Sequence, residues 1–144
     1  MIKSIPKKIH YCWFGRNKLP KEMKKYIAGW KKLCPDYEII EWNEDNFDLN
    51  SCDYVREAYS AKKWAFVSDY ARFKILFEHG GVYFDTDVEL LKNLDYVLSD
   101  GPFLGMEYGS QIAPGLGMAA YPEMKYCKDM LDLYNGIHFI NSDG

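Results

Sequence analysis

Asp85-Thr86-Asp87 is the part of this sequence best suited to do chemistry. It follows Gly80-Gly81-Val82-Tyr83-Phe84, a double glycine and then a short apolar run that reads as a buried strand. Acids at i and i+2 on extended chain point to one side. The end of such a strand is where open α/β sheets place ligands. Two carboxylates there repel each other unless a cation lies between them. A hard divalent ion, Mg²⁺ or Mn²⁺, prefers oxygen ligands and leaves positions open for diphosphate oxygens. It would neutralise charge as a sugar–phosphate bond breaks. An isolated pair of this kind is more often a solvated turn; the apolar strand and the glycines ahead of it argue for a site.

Two further groups carry polar or aromatic chemistry. Asp69 and Arg72 lie three residues apart on a helical stretch whose apolar stripe is Phe66, Tyr70, Phe73, Leu76 and Phe77. By helical angle Asp69 falls at the stripe's edge, where a carboxylate is costly without a partner. The pair is either a structural ion pair or a ligand-binding one. In the second case Asp69 accepts from ribose or sugar hydroxyls, and the planar fork of Arg72 reaches a sugar or phosphate oxygen. Trp13-Phe14-Gly15 ends the first β-like run, where an indole can stack on a nucleotide base or fill a core.

The elements that must position these groups alternate. A strand over residues 5–14 is β-branched and aromatic and stops at Gly15. A helix over residues 21–34 opens near Pro20 and ends before Pro35. It gathers Met23, Tyr26, Ile27, Trp30, Leu33 and Cys34 on one side and Lys21, Lys24, Lys25, Lys31 and Lys32 on the other. A strand over 37–42 completes a βαβ unit, which implies a parallel pair with a right-handed crossover. Helices are predicted over 53–59, capped by Ser51, and over 61–79. Beyond the 82–84 strand come a strand over 103–107, a loop over 109–117, a strand over 116–120 and a helix over 122–134. The fold class is α/β.

Composition sets outer limits. The 144 residues suffice for one domain with a core, and 48% apolar with 27% charged is a globular mixture. Aromatics reach 17%, which suits sugar or base stacking but also plain core filling. No apolar run nears the ~20 residues of a membrane span, and no signal-peptide core opens the chain. Cys12, Cys34, Cys52 and Cys127 lie too far apart for a zinc site and read as reduced, mostly buried thiols of a cytoplasmic protein. His10, His79 and His138 are scattered along the chain and make no metal cluster with them. Residues 1–32 hold ten of the 18 cations and one acid, Glu22, hence +9 against −12 for the rest. A basic end on an acidic body favours an anionic partner. The lysine face of the 21–34 helix, if it is more than a solvated surface, would rest peripherally on an anionic membrane.

Ile5-Pro6-Lys7-Lys8-Ile9-His10-Tyr11-Cys12-Trp13-Phe14-Gly15, then Ser68-Asp69 and Arg72, then Gly80 through Asp87 occur in an order and spacing that resembles the DXD-motif sugar-binding glycosyltransferases. That family includes capsular-polysaccharide enzymes and initiating mannosyltransferases, and is distantly related to the glucosylating domains of large bacterial toxins. The resemblance covers about residues 5–107. It implies a nucleotide-diphospho-sugar transferase fold of the A type, Rossmann-like, with helices on a central sheet. It implies transfer from a nucleotide-diphospho-sugar to a glycan or lipid-linked acceptor, with retention at the anomeric carbon, in polysaccharide biosynthesis. Residue by residue, Trp13 would stack on the base, and Asp69 and Arg72 would hold ribose and sugar. Asp85 would face ribose and metal, and Asp87 would be the firmest metal ligand.

Relatives continue further than the 57 residues that follow Asp87, which leads us to expect residues 1–144 to be one donor-binding domain, truncated at its C-terminus. The alternative is then a sugar-nucleotide-binding module without turnover. A glycosidase would use opposed carboxylates about 5–10 Å apart instead. A phosphohydrolase with an aspartyl nucleophile would carry the motif in its first strand. The nucleobase, the sugar, the acceptor and the oligomeric state have no signature here.

Overall fold

A computed structural model describes residues 4–107 and 111–140. The elements are β1 (Lys8–Cys12), α1 (Lys21–Leu33), β2 (Glu38–Trp42), α2 (Asp53–Ser60), α3 (Trp64–His79), β3 (Gly81–Tyr83), α4 (Asp95–Leu98), β4 (Phe103–Leu104), β5 (Met106–Glu107), β6 (Gln111–Ile112), β7 (Met118–Ala120) and α5 (Lys125–Asn135). Five strands form an open sheet in the order β2-β1-β3-β7-β4, and β5 and β6 make a separate two-stranded ribbon. β1 runs parallel to β2 and β3, whereas β7 runs antiparallel to β3 and β4. The expected βαβ unit is present, with Ile9 opposite both Ile39 and Val82.

Alternation along the strands splits the core in two. Ile9, Tyr11, Val82, Phe84 and Ala119 pack with Ile27 and Trp30 of α1. Cys12, Tyr83, Met118 and Ala120 pack with Val55, Val67, Phe73, Leu76 and Cys127 of α2, α3 and α5. Helices therefore cover both faces, the α/β architecture expected of the sequence. Among the described residues no helix is long and apolar enough to cross a membrane. Cys12, Cys34 and Cys127 are buried and Cys52 is half-buried, all four as free thiols.

Several boundaries differ from the sequence reading. α3 starts at Trp64, not at residue 61, because residues 61–63 close α2. Lys62 takes a left-handed φ of 59°. Its amide donates to the Tyr59 carbonyl (2.9 Å), and that of Lys63 donates to the Ala58 carbonyl (2.9 Å). That is a Schellman closure with lysine where glycine is usual, so no residue type announced it. Ser51 does not cap α2: Cys52 holds the cap position, and Ser51 Oγ donates to the Asp48 carbonyl instead (2.5 Å). The 103–107 strand breaks at Gly105 into β4 and β5, and β6 lies within the stretch expected to be loop. α3 buries Val67, Ala71 and Ile75 as well as Tyr70, Phe73 and Leu76, while Phe66 remains 43% exposed. A helix gripped between the sheet and two other helices hides more than a single stripe.

The α3–β3 junction fixes the strand that leads to the acids. Gly80 (φ 67°) and Gly81 (φ 109°) both occupy conformations that side chains resist. His10, fully buried in β1, is tied to this junction. Trp42 Nε1 donates to His10 Nδ1 (3.0 Å), which leaves Nε2 to carry the proton and donate to the Gly80 carbonyl (2.9 Å). The histidines that looked scattered are partly neighbours, since the His10 and His79 rings lie 6.2 Å apart.

Candidate functional site

The chain leaves β3 at Tyr83 and turns, with the Val88 amide donating to the Asp85 carbonyl at 3.2 Å. Asp85 and Asp87 thus sit on a turn and not, as the sequence reading had it, on continuing strand. The outcome for the side chains is nevertheless shared exposure. Both acids line the same two cavities, while Thr86 between them is buried and donates through Oγ1 to Met23 Sδ of α1 (3.2 Å). Turning Thr86 inward is what turns its neighbours outward.

Asp85 is tied down from both sides. Tyr83, buried beneath it, donates its hydroxyl to Asp85 Oδ1 at 2.8 Å, and the Asp85 amide donates to the Gly115 carbonyl at 2.9 Å. Burial, with Cys12 and Asp85 nearby, pushes the Tyr83 phenol well above its usual range, so it remains a donor. A Cβ on Gly115 would collide with the Asp85 carboxylate and come within 3.3 Å of Arg72 Nη1. Only glycine lets the loop come this close.

One cavity, about 410 Å³, is lined by Arg72, Asp85, Asp87, Val88 and residues 113–116. The other, about 230 Å³, shares the two acids with it. Trp13, Met23, Ser68, Asp69 and Thr86 are among its walls. The two carboxylates are common to both. An apolar cavity between β4, β7 and α5, lined by Phe103, Met118, Met124 and Cys127, presents no charged group to a ligand.

Asp69 and Arg72 form the expected ion pair on α3, with Nη2 to Oδ1 at 3.4 Å. Burial raises the Asp69 pKa above the usual carboxylate range; Arg72 opposes that shift and Asp85 adds to it. The Arg72 side chain is only 13% exposed, and its buried Nε has no hydrogen-bond partner. Burying an unpaired donor is costly, and here the donor belongs to a side chain that borders a polar cavity. Trp13 is half-buried at the end of β1. Its amide donates to the Trp42 carbonyl (2.9 Å) and its indole Nε1 to the Asn17 carbonyl (2.7 Å). Trp13 also borders the cavity of about 230 Å³.

All five residues singled out in the sequence thus surround one pair of cavities. Tyr83 and Gly115 were missed as partners of Asp85. Pro114-Gly115 is a visible turn signal within the stretch expected to be loop. Ala113, Pro114 and Gly115 are wall residues; Gly109 and Ser110 lie outside the described residues. As for a metal, two hard oxygen donors face one space, which suits Mg²⁺ or Mn²⁺. Among the described residues no group of three or more acids, histidines or cysteines is arranged to hold a metal ion.

The family described as glycosyltransferase sugar-binding region containing DXD motif matches residues 20–104. An uncharacterised glycosyltransferase of Acanthamoeba polyphaga mimivirus is 34% identical over 110 residues, which cover 72% of this chain and 41% of that protein. Inositol phosphoceramide mannosyltransferase 1 of Schizosaccharomyces pombe is 28% identical over 114 residues, covering 72% of this chain and 34% of its own length. The chain therefore spans well under half of these relatives. Among solved structures, the PaToxG glycosyltransferase superposes with a TM-score of 0.75 at 19% identity, over 91% of this chain and 60% of that one, a likeness of fold. With the motif at the end of β3 and the family match running through α1, α3 and β3, the chain belongs to the DXD-motif sugar-binding glycosyltransferases.

Proposed function

We propose that this chain binds the nucleotide-diphospho-sugar donor of a hexosyl transfer, and that the carboxylates of Asp85 and Asp87 would hold a divalent cation that serves the donor. The observation that carries the reading is that these two acids border both cavities at once. When bound, Mg²⁺ or Mn²⁺ would stabilise the negative charge that develops on the diphosphate as it leaves.

In this reading Asp85, fixed by Tyr83 and Gly115, would meet the ribose and help to hold the metal, and Asp87 would be its main ligand. Trp13 stacks on the base. Asp69 accepts from ribose or sugar hydroxyls, and Arg72 donates to a sugar or phosphate oxygen with the N–H groups that Asp69 leaves free. The acceptor's hydroxyl oxygen bonds to the anomeric carbon as the sugar–phosphate bond breaks; the nucleoside diphosphate departs with that bonding electron pair, and the hydroxyl proton passes to the departing phosphate oxygen. Retention of configuration and a place in polysaccharide assembly, capsular or other, rest on the family resemblance. A glycan or lipid-linked acceptor fits that resemblance, and one relative is named for mannosyl transfer to inositol phosphoceramide. In this reading residues 1–144 act as one donor-binding domain in the cytoplasm, and a peripheral place at the inner face of the membrane depends on the lysine face of α1.

Turnover tests this directly. Incubated with UDP- or GDP-sugars and Mn²⁺, the chain is expected to release nucleoside diphosphate, slowly to water and faster with acceptor. Metal-dependent binding without any release would leave a binding module in place of an enzyme.

A further inference from the structure

We infer that Glu44 is a positioning residue for the donor's base: it builds the turn that holds the Trp13 indole, from a loop that touches neither cavity. The inference rests on Trp13 being the base-stacking residue.

Glu44 follows β2, and its side chain is only 6% exposed. Its Oε2 accepts from the Gly15 amide at 2.5 Å and from the Tyr59 hydroxyl at 2.9 Å. Arg16 Nε lies 3.9 Å from Oε1, which is buried and has no hydrogen-bond partner. Burial alone would raise the pKa of this carboxyl. The Gly15 amide, its own backbone amide, the Tyr59 hydroxyl and Arg16 together outweigh burial and hold it below the usual range, so Glu44 is ionised at neutral pH.

The turn needs an outside anchor. Gly15 has φ 102° and Arg16 φ 62°, both left-handed, and the indole of Trp64 lies where a Gly15 Cβ would be, 2.6 Å away. Trp13 closes the same turn from within by donating to the Asn17 carbonyl. A strained turn persists only where its surroundings over-determine it. Glu44 supplies that from below, Trp64 from the side and Asn17 from within. A buried carboxylate with one oxygen left over is an expensive anchor, and what it anchors is the one aromatic ring proposed to meet the base.

The test is a double-mutant cycle on affinity for UDP and for GDP, each with Mn²⁺, scored with whichever the wild type binds more tightly. Trp13→Ala is expected to weaken binding roughly ten-fold or more, the loss of one base–aromatic stack. Glu44→Asp keeps the charge but withdraws the carboxylate from the Gly15 amide, and is expected to weaken binding about five-fold with Trp13 present and less than two-fold in Trp13→Ala. Glu44→Gln, which keeps an acceptor oxygen in reach, is expected to restore most of the affinity. Equal losses in both backgrounds, or no loss with Trp13 present, would overturn the role of Glu44 alone. An unchanged affinity in Trp13→Ala would remove Trp13 from the base site and this inference with it.

Discussion

The role proposed for Asp85 requires its carboxylate to stay where Tyr83 and Gly115 hold it. Gly115→Ala would put a methyl group into that carboxylate, and either the loop or Asp85 must give way. Overpacking of this kind costs about 1–3 kcal/mol of stability. The larger effect is expected on Mn²⁺-dependent donor affinity, a fall of roughly ten-fold, because 1.4 kcal/mol lost at the site is already a factor of ten. Titration calorimetry beside a melting curve separates the two; lowered stability with unchanged donor affinity would mean that Gly115 serves only the loop. At this scale the acids, the Asp69–Arg72 pair and Trp13 were legible, since each announces itself by type and local spacing. Tyr83 looked like one more buried strand residue. Gly115 lies 30 positions from the side chain it makes room for, and no local pattern reports such a distance.

The elements are joined through His10, which links β1 to β2 by Trp42 and to the α3–β3 junction by Gly80. Burial, opposed by the bond to Gly80 and aided by His79 and Lys8, lowers its pKa from 6.5 to about 4. Below pH 6.5 the unfolded chain takes up a proton that the folded chain refuses. Stability present above pH 6.5 is therefore lost as pH falls toward 4, by about 1.4 kcal/mol per unit and roughly 3 kcal/mol in all. Urea midpoints at pH 7 and pH 4.5 are expected to fall further for the wild type than for His10→Gln. Equal falls would show that His10 does not govern this slope. α1, β1 and β2 were legible because a lysine face and β-branched runs are periodic signals. The start of α3 was not, because Lys62 closes α2 without a glycine, and two-residue strands such as β4, β5 and β6 are too short to carry a period.

Sheet order explains why one site exists at all. From β1 the chain crosses through α1 to β2 on one side, whereas β3 neighbours β7 on the other. Open α/β sheets bind ligands where the order reverses, beyond the strands' carboxyl ends. Trp13 follows β1 and Asp85 follows β3, and these two parallel neighbours border that point. The sequence showed each strand end separately; their adjacency is a long-range pairing. The whole molecule is also polarised in charge. Lys21, Lys24, Lys25, Lys31 and Lys32 are exposed on α1, and among the described residues none is ion-paired. At about 1 kcal/mol per lysine near an anionic surface, co-sedimentation with phosphatidylserine vesicles but not with neutral ones is expected. Equal sedimentation would reject membrane contact.

The most direct measurement is the melting temperature of the chain with a UDP- or GDP-sugar, with and without Mn²⁺, in the wild type and in Asp87→Asn. A ligand that binds only the folded state adds about 2.7 kcal/mol at a hundred times its Kd. The expected result is an upward shift that needs both metal and nucleotide and disappears in Asp87→Asn. An equal shift in that variant, or one indifferent to EDTA, would contradict a donor held through a cation on Asp85 and Asp87.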